Sequence, residues 1–329
     1  MASPSAAYDA SSGPRRLAKS CESTDQPALP DRTEALYVAR INRAIDHIVG
    51  HLAGPLRLDA VAAAAGLSPF HFHRVFKAFA GETLNEFVKR HRLQRALYLM
   101  SHAPRRSLTA VALDAGFSSS SDFSRCFRQH FGVPPRAFDL TSFRATGSEA
   151  LERALAEAQP ERSLQAAPAG DNPDGFEVTL RDLPARTVAY LRVHDPYRPG
   201  VVQAACERLL AWADARGVAS GQWLGYMWEE PEIVALRHCR YDVAVVLDHV
   251  DPAGEIGRFE FPPMRVAEVS LSGDLALEAR AIDWLYKTWL PASGYEPDDQ
   301  PAFEAWRGRP YAHGAGHFEL ACQLPVRRG

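Results

Sequence analysis

The 329-residue sequence is poor in cysteine and has no long hydrophobic run. Its five cysteines are odd in number and never form a C-x-x-C pair, so neither a disulfide framework nor a cysteine-based zinc site is expected. No apolar stretch approaches the roughly 18 residues that a membrane span needs, and none near the N-terminus is typical of a secretory signal. These absences predict a soluble, reduced, cytoplasmic protein.

Sequence signatures of common catalytic and cofactor sites are also missing. The chain has no G-x-G-x-x-G after a strand, no P-loop, no G-x-S-x-G and no H-E-x-x-H. The sequence therefore predicts no cofactor, no metal site and no catalytic residue.

The small net charge of −3 conceals two halves of opposite sign. Residues 36–144 contain 15 Lys and Arg against 7 Asp and Glu, whereas residues 173–329 contain 16 against 23. A basic half joined to an acidic half indicates a polyanion-binding module, although arginines on an ordinary helical surface would give the same count. Residues 145–173 begin with a helix-like stretch and become rich in Pro, Gly and Ala, which predicts a linker. Residues 1–35 lack periodicity and predict a disordered tail.

The basic half contains an internal repeat. Leu58–Gly81 and Leu108–Gly132 share the pattern L-x-A-V-A-x-x-A-G-[LF]-S, then F-x-R-x-F and a closing glycine. Each copy predicts a short helix, a sharp turn at a glycine and a second helix, which is the helix-turn-helix arrangement. Between the copies, Leu84–Met100 predicts a long helix that holds the two units at a fixed spacing, as two recognition helices on one duplex require. A further amphipathic helix is predicted over Val38–Leu52.

The second helix of each copy has an apolar face and a polar face. The residues predicted to face a core are Phe72, Val75, Phe76 and Phe79 in the first copy and Phe123, Phe127 and Phe131 in the second. The opposite faces carry residue types that reach base edges or phosphates in a DNA major groove. These are Phe70, His73, Arg74 and Lys77 in the first copy, and Ser121, Ser124, Arg125 and Arg128 in the second. A solvated helix surface is the alternative for any one of them.

Residues 38–138 resemble the DNA-binding domain of the AraC/XylS family, which has two helix-turn-helix units joined by a helix. The most specific stretch is Ala115–Phe138, A-G-F-S-S-S-S-D-F-S-R-C-F-R-Q-H-F-G-V-P-P-R-A-F. The family pattern usually continues with an aromatic residue and then Arg, whereas this sequence has Asp139. The resemblance implies promoter DNA and RNA polymerase as partners. It places the base-reading positions at Phe70, His73, Arg74, Ser120, Ser121, Ser124 and Arg125.

The acidic half is also a repeat, with the alternating and β-branched residues of strands. Strands are predicted within Phe176–Val193, Leu224–Trp228, Tyr241–Leu247, Gly257–Ser272 and His317–Pro325, and helices over Val201–Arg216 and Leu275–Trp289. Two strand-helix-strand-strand repeats predict an α+β domain with pseudo-twofold symmetry and a cavity between the repeats.

Residues 174–327 resemble the GyrI-like (effector-binding) domain of bacterial regulators, most strongly in Tyr226–Val246 and Leu285–Trp306. The resemblance implies that Glu304, in the F-E-x-[YW] motif, lies at the base of an aromatic-lined cavity that meets cationic ligands. A desolvated carboxylate among aromatic rings suits lipophilic cations, because Coulomb and cation–π attraction both strengthen there. The predicted walls are Tyr226, Trp228, Trp289 and Trp306.

The whole sequence thus predicts a multidomain protein. An N-terminal all-α double helix-turn-helix domain occupies residues 36–144, and a C-terminal α+β GyrI-like domain occupies residues 174–329. The predicted function is that of a sequence-specific transcriptional regulator, not an enzyme, with a small lipophilic or cationic effector. Two alternatives remain: a GyrI-like hydrolase or drug-sequestering protein that carries a DNA-binding domain, and a regulator whose C-terminal half binds a protein partner.

Overall fold

Helices occupy the N-terminal half of the chain, and a large antiparallel sheet dominates the C-terminal half. The computed structural model describes residues 32–158, 170–251, 254–314 and 316–328. The predicted tail up to residue 31 and the middle of the predicted linker, residues 159–169, lie outside the described residues. No described helix combines the length and the apolar character that a bilayer crossing requires.

The N-terminal helices form two helix-turn-helix units on a shared connecting helix. The helices are α1 (Arg32–Gly50), α2 (Leu58–Ala64), α3 (Pro69–Ala80), α4 (Leu84–His102), α5 (Leu108–Asp114), α6 (Ser120–Phe131) and α7 (Leu140–Ala158). One core is enclosed by α1, α2, α3 and the first turns of α4, and a second by the rest of α4 with α5 and α6. The predicted double helix-turn-helix architecture is confirmed.

The recognition helices α3 and α6 begin and end as the local sequence predicts. Ser68 and Ser119 accept hydrogen bonds from the first turns of α3 and α6 and so satisfy exposed N–H groups. Gly81 and Gly132 end the same helices with φ of 73° and 79°, a conformation that costs glycine little. The two copies of the repeat therefore fold alike because they carry the same end signals.

One predicted core residue of α3 lies outside the core. Phe72 and Phe76 are fully buried, but Phe79 is 44% exposed. The ring of Phe87 on α4 packs edge-on against Phe76 with centroids 5.3 Å apart. Because Phe87 closes the core there, the last turn of α3 projects beyond it, and the prediction for Phe79 is wrong.

α1 extends further than the sequence predicts, whereas α7 includes the predicted helix-like stretch. α1 begins at Arg32, within the predicted tail, and α7 runs from Leu140 through that stretch to Ala158. Asp139, which departs from the AraC/XylS pattern, accepts a hydrogen bond from the backbone N–H of Ser142 at 3.0 Å. This aspartate caps the N-terminus of α7, where a carboxylate also interacts favourably with the helix dipole.

In the described part of the C-terminal half, nine strands form an antiparallel sheet with helices on one face. The strands are β1 (Thr179–Leu183), β2 (Arg186–His194), β3 (Trp223–Met227), β4 (Arg240–Val246), β5 (Gly257–Phe261), β6 (Met264–Gly273), β7 (Tyr295–Pro297), β8 (Phe303–Trp306) and β9 (Phe318–Arg328). The helices are α8 (Val201–Asp214), α9 (Leu275–Trp284) and the short α10 (Leu290–Ser293), and a π-helical turn, Leu285–Trp289, joins α9 to α10.

The strand order β1-β6-β9-β8-β3-β4-β2-β5, with β7 paired to the end of β9, confirms the predicted repeat and adds detail to it. One repeat is β2-α8-β3-β4, the other is β6-α9-β8-β9, and they meet at the β3–β8 pair. The strands that precede the repeats are exchanged, because β1 pairs with β6 of the second repeat and β5 pairs with β2 of the first. The β3–β8 pair joins the two repeats into a single sheet, and the exchanged strands β1 and β5 form its two edges.

The two halves of the chain share a packed core. Ile233, Val234 and Cys239, from the loop between β3 and β4, belong to the same buried cluster as Leu97 and Phe123 of the second helix-turn-helix unit. On the other side, α1 packs against β5. The sheet domain therefore contacts both helix-turn-helix units.

Candidate DNA-binding helices and small-molecule cavity

The polar faces of α3 and α6 are open to solvent. Phe70 is 76% exposed, although it is a large apolar residue. The other predicted DNA-contacting residues of α3, namely His73, Arg74 and Lys77, are exposed as well. On α6 a shallow concavity brings together Ser120, Ser121, Ser124, Arg125 and Arg128. The structure thus places each predicted set on one outward surface.

Arg74 and Arg125 occupy the same position of the repeat. Each is the arginine of an F-x-R-x-F motif whose two phenylalanines are buried, and each side chain therefore points outward. The guanidinium of Arg125 donates a hydrogen bond to Asp122 at 2.7 Å on the same helix. Arg74 makes no hydrogen bond or ion pair with the residues that the structure describes, so its five N–H donors can reach an external partner.

A cavity of about 930 Å³ opens on the helix-covered face of the sheet. It is bordered by α9, by the β3–β8 pair and by Tyr197 and Tyr311, and it extends to α4 and α7 of the DNA-binding half. Its volume lies in the usual range of small-molecule sites, which is about 300–1,000 Å³.

A pair of glutamates forms the polar floor of this cavity. Glu304 on β8 accepts hydrogen bonds from the Tyr241 hydroxyl and the Trp306 side chain, and it shares a hydrogen bond with Glu278 on α9. Gly225 is the register partner of Glu304 on β3. A Cβ at Gly225 would overlap the Tyr241 hydroxyl and stand 2.6 Å from Glu304 Oε2. Only glycine leaves room for this arrangement.

Burial shifts the pKa of both carboxyl groups in the same direction. Desolvation, reinforced by the charge of Glu304, raises the pKa of Glu278 well above its ordinary value. Desolvation also raises the pKa of Glu304, while the hydrogen bonds from Tyr241, Glu278 and Trp306 partly oppose it. Two hydrogen-bonded carboxyls in a desolvated site share a proton. With one proton between them, the two carboxyl groups carry a single negative charge.

The predicted aromatic walls are only partly brought together. Trp306 lies beside Glu304, but the rings of Tyr226 and Trp228 lie on the opposite face of the sheet, in a second aromatic cluster. Successive residues of a strand point to opposite faces, and Gly225, not Tyr226, is the neighbour of Glu304. Both residues are also among those that border the large cavity. Trp289 stacks on Tyr295 with centroids 6.0 Å apart and is not among the residues that line the cavity.

Sequence reasoning missed Glu278, Tyr241 and Gly225. One signal was present for Glu278, because this glutamate interrupts an apolar stripe of α9 that includes Leu275 and Ile282. A charged residue on the buried side of a helix needs a partner or a function. For Tyr241 and Gly225 the sequence carries no comparable signal, since their role depends on the register between β3, β4 and β8.

Both halves match families of known domains. The helix-turn-helix domain family matches residues 61–140, and the GyrI-like small molecule binding domain family matches residues 176–327. The DNA gyrase inhibitor of Edwardsiella piscicida is 30% identical over 163 residues, which cover 46% of this chain and 99% of that protein. The probable transcription factor PqrA of Proteus vulgaris is 37% identical over 83 residues, which cover 25% of this chain and 67% of that protein.

Longer regulators match over about a third of their own length. The regulatory protein PocR of Salmonella typhimurium is 36% identical over 100 residues, which cover 30% of this chain and 33% of that protein. This chain thus spans about a third of PocR. Among solved structures, an AraC-type transcriptional regulator from Chromobacterium violaceum is 30% identical, with a TM-score of 0.28 over 30% of this chain and 86% of that chain. The present chain belongs to the AraC-type helix-turn-helix proteins and carries a C-terminal domain of the GyrI-like small-molecule-binding family.

Proposed function

We propose that this protein is a transcription regulator that binds promoter DNA through α3 and α6 and responds to a small lipophilic cation in its C-terminal cavity. The observation that carries the proposal is the equivalence of Arg74 and Arg125. Both lie at the same repeat position, between buried phenylalanines, on the outward face of a capped helix. A major groove accepts one such helix, and arginine is the side chain that most often reads guanine.

The connecting helix α4 supports a single-chain DNA site. It spans 19 residues, about 28 Å of helix, and both cores pack on it. Two recognition helices held by one rigid connector suit two successive major grooves, which are about 34 Å apart. One chain is then sufficient for a bipartite, non-palindromic site.

The glutamate pair supports a cationic effector. A negative charge attracts a cation more strongly in a desolvated site than in water. Trp306, Tyr241 and Tyr311 supply aromatic surface nearby. A neutral ligand of the same shape gains only the apolar contacts. We therefore place the charge recognition at Glu304 and Glu278.

The proposal assigns the cavity to binding and not to catalysis. The relatives PocR and PqrA are named as a regulatory protein and a probable transcription factor, and the Edwardsiella piscicida relative is named as a DNA gyrase inhibitor. RNA polymerase is the proposed protein partner at the promoter, and the cytoplasm is the proposed location.

DNA recognition is tested by substitution of paired residues on the two helices. Arg74→Ala and Arg125→Ala are each expected to cost about 1–3 kcal/mol at particular base pairs and to relax sequence preference there. Lys77→Ala and Arg128→Ala are expected to weaken binding to all DNA sequences alike and to reduce the salt dependence of the affinity. Fluorescence anisotropy with promoter fragments and random DNA, at several salt concentrations, measures both effects.

The control for the DNA experiment is Arg208→Ala, on the exposed surface of α8, where the arginine pairs with Glu255 at 3.1 Å. This variant should bind DNA like the wild type. If Arg74→Ala weakened binding to cognate and random DNA equally, Arg74 would contact a phosphate and not a base.

Effector recognition is tested by Glu304→Gln, which keeps the shape of the side chain and removes its charge. The affinity of the variant for tetraphenylphosphonium is expected to fall at least about tenfold, which corresponds to about 1.4 kcal/mol of binding free energy. Its affinity for the neutral triphenylphosphine oxide is expected to change little. Isothermal titration of the full chain measures both affinities. A variant that bound the cation as well as the wild type does would refute the role of Glu304.

A further inference from the structure

We propose that the small-molecule site is shared by the two halves of the chain. In this arrangement an elongated lipophilic cation lies along α9, with its charge at the Glu278–Glu304 pair and its far end against Tyr98 of α4. The inference rests on the proposed function and adds that the helix joining the two helix-turn-helix units is part of the ligand site.

One stripe of α9 and of the π-helical turn that follows it lines the cavity from the glutamates to the DNA-binding half. Leu275, Glu278, Ile282 and Tyr286 all border the cavity. They are spaced three or four residues apart and so lie on one side of the helix. Glu278 and Tyr286 are eight residues apart, which corresponds to about 12 Å along the helix. A ligand bound at Glu278 therefore reaches Tyr286 only if it is elongated.

The far end of this stripe meets α4. The hydroxyl oxygens of Tyr98 and Tyr286 are 3.3 Å apart, and the two rings are nearly perpendicular, with centroids separated by 6.3 Å. Both tyrosines border the cavity. The ring of His102, one turn further along α4, lies 4.7 Å from that of Tyr286. A ligand that fills this end contacts one aromatic ring from each half of the chain.

The charges around the far end set the orientation of the ligand. Arg95 pairs with Asp299 at 2.5 Å, Arg144 pairs with Glu230 at 2.9 Å, and both arginines border the cavity. Arg144 also pairs with Glu232, and Lys287 pairs with Glu232 and Asp283, so the carboxylates at this end already have cationic partners. The glutamate pair has no ion-pair partner among the residues that the structure describes, so the cationic group belongs at the floor and the neutral part at α4.

A polar group on α4 is also available to the ligand. Gln94 lies one turn before Tyr98 and borders the cavity. Its side-chain oxygen is buried and accepts no hydrogen bond from any residue that the structure describes. An unsatisfied buried acceptor is costly, so a ligand N–H or O–H beside it improves binding. This favours an amphiphile with a donor near its far end.

Contact with α4 links ligand binding to DNA binding. Both helix-turn-helix cores pack on α4, so a ligand that bears on Tyr98 acts on the element that spaces the recognition helices. Any such linkage is reciprocal: if the ligand changes the affinity of the protein for DNA, then DNA changes the affinity for the ligand by the same factor.

The test compares a compact and an elongated cation on the full chain. Tetraphenylphosphonium occupies only the glutamate end, whereas the alkyl chain of decyltriphenylphosphonium is long enough to reach Tyr98. Tyr98→Ala is expected to lower the affinity for the elongated probe by about tenfold and that for the compact probe by less than about twofold. Tyr98→Trp, which fills that end of the cavity, is expected to exclude the elongated probe and retain the compact one.

The matched control is Lys89→Ala, an exposed residue of α4 that does not border the cavity. It should leave both affinities unchanged. Retained binding of the compact probe shows that a Tyr98 variant is folded. In a second titration, operator DNA should change the affinity for the elongated probe only. Equal changes for both probes, or none, would overturn the inference alone. Failure of the wild type to bind either cation would overturn the proposed effector function as well.

Discussion

At the scale of single residues, the glutamate pair gives the cavity a charge that depends on pH. Glu278 is 6% exposed, and its nearest charged neighbour is another carboxyl group. In a ligand-free chain this arrangement is unfavourable once both groups ionise. A bound cation relieves the repulsion, so the same feature that destabilises the empty protein favours the ligand.

Glu278→Gln is expected to raise the stability of the ligand-free chain at neutral pH. Burial and the charge of Glu304 hold the pKa of Glu278 well above its ordinary value, so the folded state retains a proton that the unfolded state has released. Stability is therefore highest below the unfolded pKa of about 4.3 and declines as pH rises toward the folded pKa. Glutamine does not ionise, and the variant should lack this part of the decline.

Thermal denaturation of wild type and Glu278→Gln between about pH 4 and pH 8 measures the difference. Glu149→Gln, at an exposed position of α7, is the control and should follow the wild-type curve. Parallel curves for the wild type and Glu278→Gln would contradict the proton-sharing pair.

At the scale of secondary-structure elements, α7 connects the DNA-binding half to the β3–β4 loop. Arg144 donates a hydrogen bond through Nε to Glu232 at 2.9 Å, and Ser148 donates one to the same carboxylate at 2.6 Å. Between them, Gly147 lets the helix backbone approach the backbone of Glu232. A Cβ at Gly147 would overlap the Glu232 carbonyl oxygen and stand 2.6 Å from its carbonyl carbon.

Gly147→Ala is expected to destabilise the chain by about 1–3 kcal/mol, because backbone atoms cannot move aside as a flexible side chain can. Gly50→Ala is the matched control, since a Cβ at the end of α1 has nothing within 4 Å. It should be neutral or slightly stabilising. Urea denaturation of both variants measures the effect. Equal stability of the two would show that α7 does not depend on this close approach.

At the scale of the whole molecule, the sheet domain holds the two helix-turn-helix units from two sides. The β3–β4 loop enters the core of the second unit. A buried ion cluster holds the first, where Arg192 binds Asp242 through two hydrogen bonds of 2.8 and 2.7 Å and Asp46 of α1 at 2.9 Å. Tyr190 also donates a hydrogen bond to Asp46. The spacing of the recognition helices therefore depends on the sheet domain as well as on α4.

Arg192→Met is expected to cost about 3–5 kcal/mol, because it leaves Asp46 and Asp242 buried without their cation. The triple variant with Asp46→Asn and Asp242→Asn removes the uncompensated charges and should recover most of the loss. Urea denaturation of the single and triple variants gives the comparison. A single variant as stable as the triple would mean that the carboxyl groups find other compensation.

Local signals in the sequence determined the DNA-binding half. The serine caps, the closing glycines and the helical spacing of phenylalanines act over a few residues, so each repeat could be assigned without knowledge of the rest of the chain. The alternation of the strands and the F-E-x-[YW] motif likewise indicated the GyrI-like domain and Glu304. Phe79 was misassigned, since its environment is set by Phe87 from another helix.

Only the tertiary structure decided what surrounds Glu304 and how the two halves meet. Which face of β3 adjoins the glutamate depends on its register with β8, and this register placed Gly225 there and turned Tyr226 away. Glu278 approaches from a helix, and Tyr98 from the other half of the chain. Such contacts join positions far apart in sequence, and a one-residue change of register would reverse every side chain of a strand. The sequence therefore determined the domains and their chemistry, whereas packing decided the composition of the site.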